Sequence, residues 1–201
     1  MSGDKSKTPR GKDENIVEFI FETGVLKRVP RSGWSLLGIQ NPESVADHSF
    51  RCAVIGYLLA NMEQVSVHRT LLMTLFNDIH EARITDLHKM AQRYIDARPA
   101  EDASYEEQVG SLPEGMLQEL SDMREEYRGQ DSEESIVARD SDILECLIQA
   151  KEYYEHGHKS AALFMTKAPQ HLKTDSAKKL WRLAQTIDVN EWWARIGSFD
   201  R

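Results

Sequence analysis

The sequence has 201 residues and a formal net charge of −8 at pH 7, with 40% hydrophobic and 29% charged residues. This length is enough for one large domain with a sizeable core, and the composition is typical of a globular protein. The acidic balance argues against a nucleic-acid polymer as the main partner, because proteins that bind the phosphate backbone usually carry a basic surplus. Small anionic ligands are not excluded, since a metal ion and a few local cations can hold a phosphate.

Targeting signals and cysteine usage point to the cytoplasm. No stretch is long and apolar enough to span a membrane, and the first residues lack the apolar core of a signal peptide. The two cysteines, Cys52 and Cys146, lie in apolar helical runs, so we expect buried thiols rather than a disulfide. These features predict a cytoplasmic protein with no membrane partner.

The N-terminal part of the chain is predicted to hold a tail, a helix and a long loop. Residues 1–12 are polar and basic without periodicity, so we expect a disordered tail followed by a single domain over 13–201. A short amphipathic helix is predicted from Glu14 to about Gly24, followed by a Pro-, Gly- and Arg-rich loop over 26–44. A connection of this length is unusual in a compact domain, and long ordered loops are often functional.

The rest of the chain is predicted to be helical. Ser44 is placed to cap the first of these helices, and the acidic segment 98–115, which contains Pro and Gly, is predicted to be a mobile connection. The apolar spacing predicts helices at about residues 45–62, 67–82, 88–97, 115–128, 133–156, 159–168 and 175–188, with a last short helix around Glu191-Trp192-Trp193. We find no strand alternation, internal repeat or Gly-rich phosphate loop, so the predicted fold is all-α.

Three polar residues inside these apolar helices are candidate metal ligands. His48, Asp78 and Asp142 come from three different predicted helices, and helical bundles assemble internal metal sites in this way. Each residue also has a structural interpretation. His48 could be a hydrogen-bonded core histidine, Asp78 could pair with Arg83 or a backbone group, and Asp142 could belong to a solvated face. The spacing alone favours the structural interpretations.

Four stretches match, in order and register, the motifs of one enzyme family. ESVADHSFRCAVI (43–55) is similar to its first metal-binding motif, and LFNDIHEARITDL (75–87) to a His-Asp-x-x-Glu-x-x-x-x-Asp pattern. VARDSDILECLIQAKEYYE (137–155) is similar to the segment with the last Asp ligand, and RSGWSLLGIQNPESVADH (31–48) to a Trp-containing loop. Over roughly residues 14–156 the chain thus resembles the HD-domain metal-dependent phosphohydrolases, in their 5′-deoxynucleotidase branch.

The resemblance implies a helical bundle with a buried metal site. The metal-site core would span about residues 43–156, followed by C-terminal helices over 157–201. The implied metal-ligand positions are His48, Asn77, Asp78 and Asp142. The ion would be divalent, with Co²⁺, Mn²⁺ or Mg²⁺ as the expected candidates.

The resemblance also implies catalytic and substrate-binding roles. Glu81 and Asp86 would orient or deprotonate the attacking water and assist the leaving oxygen. Trp34 would stack on the base or sugar, although it could equally anchor the long loop in the core. Arg31 would hold the phosphate, with Arg28 and Lys27 as alternatives in the same loop. Lys89 is a weaker candidate, because an exposed basic residue is often only solvated.

The implied activity is removal of phosphate from (deoxy)nucleoside 5′-monophosphates by attack of a metal-bound water. Two alternatives stay open: a dNTP triphosphohydrolase, and a non-catalytic helical module that binds a nucleotide or a partner protein. We expect a homodimer, as is common in similar proteins. The aromatic C-terminal helices, with Trp181, Trp192 and Trp193, or the segment 88–97, would lie at or near the interface.

Asn77 departs from the family pattern, which has His at this position. An amide oxygen is a harder and weaker ligand than imidazole, so the change should weaken binding of Co²⁺, Cu²⁺ or Zn²⁺ more than of Mn²⁺ or Mg²⁺. Three explanations are open: an engineered change that traps substrate, a natural enzyme with a different metal set, or a relative that has lost activity. Because all the other site residues are retained, the first two are favoured.

Overall fold

The computed structural model describes residues 11–197, and within that range it contains helices, turns and one isolated antiparallel bridge between Pro30 and Ser44. The predicted all-α fold is confirmed. The helices are α1 (Lys12–Thr23), α2 (Ser32–Ser35), α3 (Val45–Glu63), α4 (Val67–Phe76), α5 (Glu81–Ile84), α6 (Arg98–Val109), α7 (Glu114–Gly129), α8 (Glu133–Glu155), α9 (Ala162–Lys167), α10 (Asp175–Ala184) and α11 (Glu191–Ile196).

The predicted N-terminal tail lies mostly outside the described residues, and α1 begins at Lys12, one residue earlier than the predicted domain. The division into a tail and a single domain stays a prediction. None of the described helices is long and apolar enough to cross a membrane.

Helices α3, α4 and α8 pack against one another and form the scaffold that carries the site. On α3 the predicted apolar spacing is reproduced, since His48, Cys52, Ile55 and Leu59 are all buried. Leu59 packs with Leu147 of α8 in the main core cluster, and both are fully buried. Burying a side chain of this size stabilises a fold by about 1.5–3 kcal/mol.

The start of α3 is fixed by a capping box, as the sequence predicts for Ser44. The Ser44 hydroxyl accepts a hydrogen bond from the Asp47 N–H at 3.1 Å, and the Asp47 carboxylate accepts one from the Ser44 N–H at 2.9 Å. Such a cap contributes about 1 kcal/mol and sets where the first turn begins. His48 follows directly after this cap, and its N–H donates to the Ser44 carbonyl at 3.1 Å.

The predicted helix over 67–82 is wrong, because α4 ends at Phe76 and a separate short helix α5 begins at Glu81. Between these two helices the backbone hydrogen bonds span three residues instead of the four of an α-helix. The Glu81 N–H, for example, donates to the Asp78 carbonyl at 3.0 Å. Asn77 and Asp78 therefore lie at a helix end and in a turn rather than on one helix face. The turn places Asp78 Oδ2 3.6 Å from His48 Nε2 of α3, and Asn77 Oδ1 3.3 Å from Arg124 Nη1 of α7.

Two further predictions around α6 are wrong. The segment 98–115, predicted to be a mobile connection, contains α6, and that helix buries Tyr105 and Val109. The segment 88–97, predicted to be a helix, holds only the 3₁₀ turn Ala91–Arg93. Tertiary burial outweighs the acidic composition of α6, whereas the apolar residues of 88–97 remain largely exposed.

The C-terminal aromatic residues divide between the core and the surface. Trp181 of α10 is only 4% exposed and packs in the core cluster of α3 and α8, so it is not available for an interface. Trp192 of α11 is 63% exposed. The predicted helix over 175–188 ends earlier, at Ala184.

Candidate metal and substrate site

His48, Asp78 and Asp142 converge on one point from three parts of the fold. The His48 Nε2 atom lies 3.2 Å from Asp142 Oδ1 and 3.6 Å from Asp78 Oδ2. His48 comes from α3, Asp142 from α8, and Asp78 from the turn between α4 and α5. One imidazole nitrogen thus faces two carboxylates, which is a donor set suited to a divalent metal ion.

The other imidazole nitrogen is held by a carboxylate that the sequence analysis missed. Glu145 is fully buried and its Oε2 lies 2.5 Å from His48 Nδ1. Its other oxygen accepts hydrogen bonds from Arg51 Nε and Nη2 at 2.9 and 2.8 Å. A carboxylate on Nδ1 fixes the proton there and leaves the Nε2 lone pair for a ligand role. The available signal was an acidic residue inside the apolar run ILECLIQA, one helical turn after Asp142.

Cys52 offers a second way to hold a metal with the same histidine. Donor atoms of His48, Cys52 and Glu145 all lie within 4.8 Å of one another. Burial, however, raises the pKa of the Cys52 thiol to about 12, and the thiolate rather than the thiol is the metal-binding form. Glu145 is also occupied by His48 and Arg51. The side of the imidazole that faces Asp78 and Asp142 is therefore the better site.

Glu81 brings a further buried carboxyl group beside this point. Its Oε2 atom is buried and has no hydrogen-bond partner among the described residues. Burial, followed by the nearby charges of Asp78 and Asp86, raises the pKa of Glu81 well above its usual range. An unpaired buried oxygen among like charges is costly, and a divalent cation here would neutralise the cluster. The residues present therefore fit a metal ion.

Asn77 lies next to the cluster, but its amide oxygen turns away from it. The Asn77 Nδ2 donates to Asp78 Oδ1 at 2.7 Å. Arg124 Nη1, from α7, donates to the Asn77 main-chain carbonyl at 2.8 Å and lies 3.3 Å from the Asn77 Oδ1. Arg124 is another residue that sequence analysis did not single out, since it is distant in the chain and belongs to none of the motifs.

Asp86 and Arg31 belong to the same charged cluster as Asp78. Asp86 Oδ2 accepts a hydrogen bond from the Ser32 N–H at 2.7 Å, which ties it to the start of α2. The Arg31 Nη1 atom lies 3.8 Å from Asp78 Oδ2 and 4.0 Å from Asp86 Oδ1. Although burial opposes it, the charges of Asp78 and Asp86 raise the pKa of Arg31 well above its usual range. This guanidinium therefore remains charged at the edge of the acidic cluster.

Trp34 is packed rather than free to stack across its face. It is 3% exposed, its Nε1 donates to Glu43 Oε1 at 2.8 Å, and its ring contacts Tyr153 and Phe164. These contacts match the structural interpretation, in which Trp34 anchors the long loop. Lys89 is exposed and donates to Gln92 Oε1 at 3.0 Å, away from the carboxylate cluster.

An open cavity of about 1280 Å³ connects these groups. Ligand sites usually measure about 300–1,000 Å³, so this one has room for a nucleotide. Acidic, basic and apolar side chains all line this cavity. Its lining includes Arg31, Trp34, Asn77, Asp78, Glu81, Asp86, Lys89, Tyr94, Arg124, Arg128, Arg139 and Asp142.

Comparison with known proteins assigns the chain to a family. The HD domain family matches residues 23–183. The 5′-deoxynucleotidase HDDC2 of Bos taurus is 33% identical over 155 residues, and that of Homo sapiens is 31% identical over 150; each match covers 74% of this chain and 73% of the relative. A conserved hypothetical protein from Pyrococcus furiosus has a similar structure, with a TM-score of 0.74 and 31% identity over 85% of this chain and 99% of that one. The chain therefore belongs to the HD-domain family of metal-dependent phosphohydrolases, among the 5′-deoxynucleotidases.

Proposed function

We propose that this protein is a 5′-nucleotidase that removes the phosphate from (deoxy)nucleoside 5′-monophosphates. The observation that carries the proposal is the convergence of His48 Nε2 with Asp78 and Asp142, because both of these aspartates also line an open cavity. The unpaired buried oxygen of Glu81 lines the same cavity. The residues suited to hold a divalent cation therefore lie beside a cavity that is large enough for a nucleotide.

His48, Asp78 and Asp142 would hold the divalent ion. When bound, such an ion polarises a phosphoryl oxygen and lowers the pKa of a coordinated water. With one nitrogen and two carboxylates as donors, Mn²⁺ and Mg²⁺ suit the site, and Co²⁺ remains a candidate. The hydrogen bond that the His48 Nδ1–H donates to Glu145 and the pairing of Arg139 with Asp142 at 2.9 Å keep two of these ligands in place.

Glu81 and Asp86 supply the proton transfers. Attack of water at phosphorus forms a new P–O bond, breaks the bond to the 5′-oxygen, and requires one proton to leave the water and one to reach the leaving oxygen. Glu81 is adjacent to the ligand cluster and has a free oxygen for the water. Asp86 is fixed by Ser32 and keeps Oδ1 on the Arg31 side, where the leaving oxygen would lie. General acid–base help of this kind contributes about 10²–10⁴-fold.

Arg31 is the residue that would hold the phosphate. It pairs with Asp78 and Asp86 at 3.8 and 4.0 Å, distances at which its N–H groups can reorient towards an incoming anion. Trp34 would contribute through its packed position on the cavity wall, by holding the loop that carries Arg31. Lys89 is an exposed residue of the cavity lining, and we assign it to the nucleoside rather than to the reacting phosphate.

Each of the two alternative functions is supported by one observation. The cavity is larger than a monophosphate requires and its wall includes Arg124, Arg128 and Arg139, so a dNTP triphosphohydrolase remains a candidate. Asn77 at a ligand position favours a nucleotide-binding module without efficient turnover. Product analysis separates the two enzymes, and turnover with added metal separates both from the binding module.

We also propose that the protein is cytoplasmic and forms a homodimer. The two free cysteines support a reducing compartment. The exposed Trp192 and Ile196 of α11, together with Met90 and Tyr94 of the segment 88–97, support an interface in the regions predicted from sequence. Light scattering at micromolar concentration tests the assembly, and a monodisperse monomer would contradict it.

A metal-by-substrate screen tests the proposed activity. Purified protein is freed of metal, then given Mn²⁺, Mg²⁺ or Co²⁺ and a panel of ribo- and deoxyribonucleoside 5′-monophosphates, with dNTPs in parallel. We expect inorganic phosphate from monophosphates, loss of activity with chelator, and no tripolyphosphate from dNTPs. Tripolyphosphate would favour the triphosphohydrolase, and no product with any metal would contradict the enzymatic proposal.

A further inference from the structure

We propose that Arg124 keeps residue 77 out of the metal's coordination shell, so that Asn77 positions Asp78 and the ion has three protein ligands. The inference deepens the proposed function, because it concerns the same metal site. It explains how the chain tolerates Asn at a position where the resemblance to the HD-domain motif implies His. Arg124 and Asn77 act as a pair, and the pair can be tested separately from catalysis.

The orientation of the Asn77 amide is fixed by the chemistry of its two neighbours. A guanidinium can only donate hydrogen bonds and an ionised carboxylate can only accept them. The amide nitrogen must therefore face Asp78 Oδ1, at 2.7 Å, and the amide oxygen must face Arg124 Nη1, at 3.3 Å. Turning the amide over would place two donors together on one side and two acceptors together on the other. The oxygen that could bind a metal is thus the one beside Arg124.

Arg124 is itself held in place by three other contacts. Its Nη1 donates to the Asn77 carbonyl at 2.8 Å, and its Nη2 lies 3.2 Å from Asp102 Oδ1. The guanidinium carbon sits 4.8 Å from the centre of the buried Tyr105 ring. Only 10% of the Arg124 side chain is exposed. Moving the guanidinium away from Asn77 would break a charge-assisted hydrogen bond and a cation–π contact together.

A divalent ion on the Asn77 oxygen would therefore face a fixed positive charge. Metal–oxygen distances are about 2.0–2.2 Å, and Arg124 Nη1 lies 3.3 Å from that same oxygen. Asp78 is the better metal ligand. Its Oδ1 accepts the hydrogen bond from Asn77, which leaves its Oδ2 available 3.6 Å from His48 Nε2. An imidazole introduced at position 77 would meet the same guanidinium. Restoring the family's His alone should then fail to restore the fourth ligand.

A double-mutant cycle on Mn²⁺ binding tests the pair. The variants are Asn77→His, Arg124→Met and the double variant, with Arg124→Gln in place of Arg124→Met as a second neutral change. Arg128→Met combined with Asn77→His is the matched control, since Arg128 shares Asp102 with Arg124 but makes no bond to Asn77. Calorimetry measures Mn²⁺ affinity, pulsed EPR counts the imidazole nitrogens on Mn²⁺, and circular dichroism verifies that each variant is folded.

The expected result is non-additive. The native protein and the Asn77→His variant should each show one coordinated imidazole and Mn²⁺ affinities within about threefold of each other. The variant that combines Asn77→His with loss of the Arg124 charge should show two imidazoles and bind Mn²⁺ at least about tenfold more tightly, a difference of about 1.4 kcal/mol. The Arg128 control should behave like Asn77→His alone.

Two results would overturn the inference. One is a second coordinated imidazole in Asn77→His with Arg124 intact. The other is a folded double variant, in both the Met and the Gln forms, that binds Mn²⁺ no more tightly than Asn77→His. The proposed function fails differently: if no nucleotide is hydrolysed while the EPR pattern is as expected, the activity is wrong and the role of Arg124 stands.

Discussion

The two sides of the candidate metal site differ in the charge that lies behind each proposed ligand position. Behind His48 stands the buried carboxylate of Glu145, which fixes the imidazole and makes its free nitrogen a better donor. Behind Asn77 stands the guanidinium of Arg124, whose Nη1 lies 3.3 Å from the amide oxygen and which we propose keeps that oxygen from binding a cation. The ability of a residue to bind a metal therefore depends on the group that hydrogen-bonds to it as much as on the residue itself. Four predictions test this difference between the two sides.

The largest effect is expected from removing a ligand on the anionic side. Asp142→Asn keeps the size of the side chain but removes the charge that faces His48 Nε2 at 3.2 Å. We expect kcat for nucleoside monophosphates to fall by at least about 10³-fold, equivalent to about 4 kcal/mol of transition-state stabilisation. Asp140→Asn on the same helix is unsuitable as a control because Asp140 holds the Thr174 cap. Asp122→Asn, an exposed residue of α7, should leave kcat unchanged.

The second effect concerns the proton transfers. Glu81→Gln retains the shape of a side chain whose Oε2 has no partner, but it can no longer accept a proton. We expect kcat to fall about 10²-fold or more while KM changes little, because Glu81 is placed to act on the attacking water rather than on the nucleoside. A rise in KM with kcat unchanged would place Glu81 in substrate binding instead.

The third prediction tests the support behind His48. Glu145→Gln replaces the carboxylate on Nδ1 with a neutral amide, and we expect Mn²⁺ affinity to fall about 10–100-fold in calorimetry. Glu152→Gln is the matched control: Glu152 also pairs with Arg51, at 2.8 Å, but does not contact His48. Equal losses in the two variants would mean that the Arg51 network acts through general stability, and the contrast between the two sides would fail.

The smallest effect is expected at the phosphate-binding loop. Arg31→Met removes the guanidinium near Asp78 and Asp86, and we expect KM for monophosphates to rise by about tenfold, with a smaller change in kcat. Arg28→Met is the control, because Arg28 is exposed and does not line the cavity. The pair of variants also decides which basic residue of the loop holds the phosphate. A larger rise in KM for Arg28→Met would reverse the assignment.

The sequence alone predicted the all-α fold and the three candidate ligands, His48, Asp78 and Asp142, that the fold places together. The helical spacing of His48, Cys52, Ile55 and Leu59 and the cap at Ser44 are local signals, and local signals are readable in one sequence. The family resemblance favoured the metal-ligand interpretation of His48, Asp78 and Asp142 over the structural one. The convergence itself depends on the packing of α3 against α4 and α8, which the spacing within each helix does not specify.

The supporting residues could not be found in the same way. Glu145 and Arg124 act on residues 97 and 47 positions away in the chain, and such pairings arise only when helices pack. The helix α6 was missed because its composition is acidic, although burial of Tyr105 and Val109 holds it. The turn at Asn77 was missed because the apolar pattern runs through it. In each case tertiary contacts outweighed local preference.

The position of a bound Mn²⁺ ion would show which side of the His48 imidazole holds the metal and whether Asn77 is a ligand. Crystals soaked in Mn²⁺ and measured at the manganese absorption edge would show each ion as an anomalous peak. We predict a peak about 2.0–2.3 Å from His48 Nε2 and from a carboxylate oxygen of both Asp78 and Asp142, with the Asn77 oxygen outside the coordination shell. A peak bound by Cys52 and Glu145, or one bound by the Asn77 oxygen beside Arg124, would contradict the account.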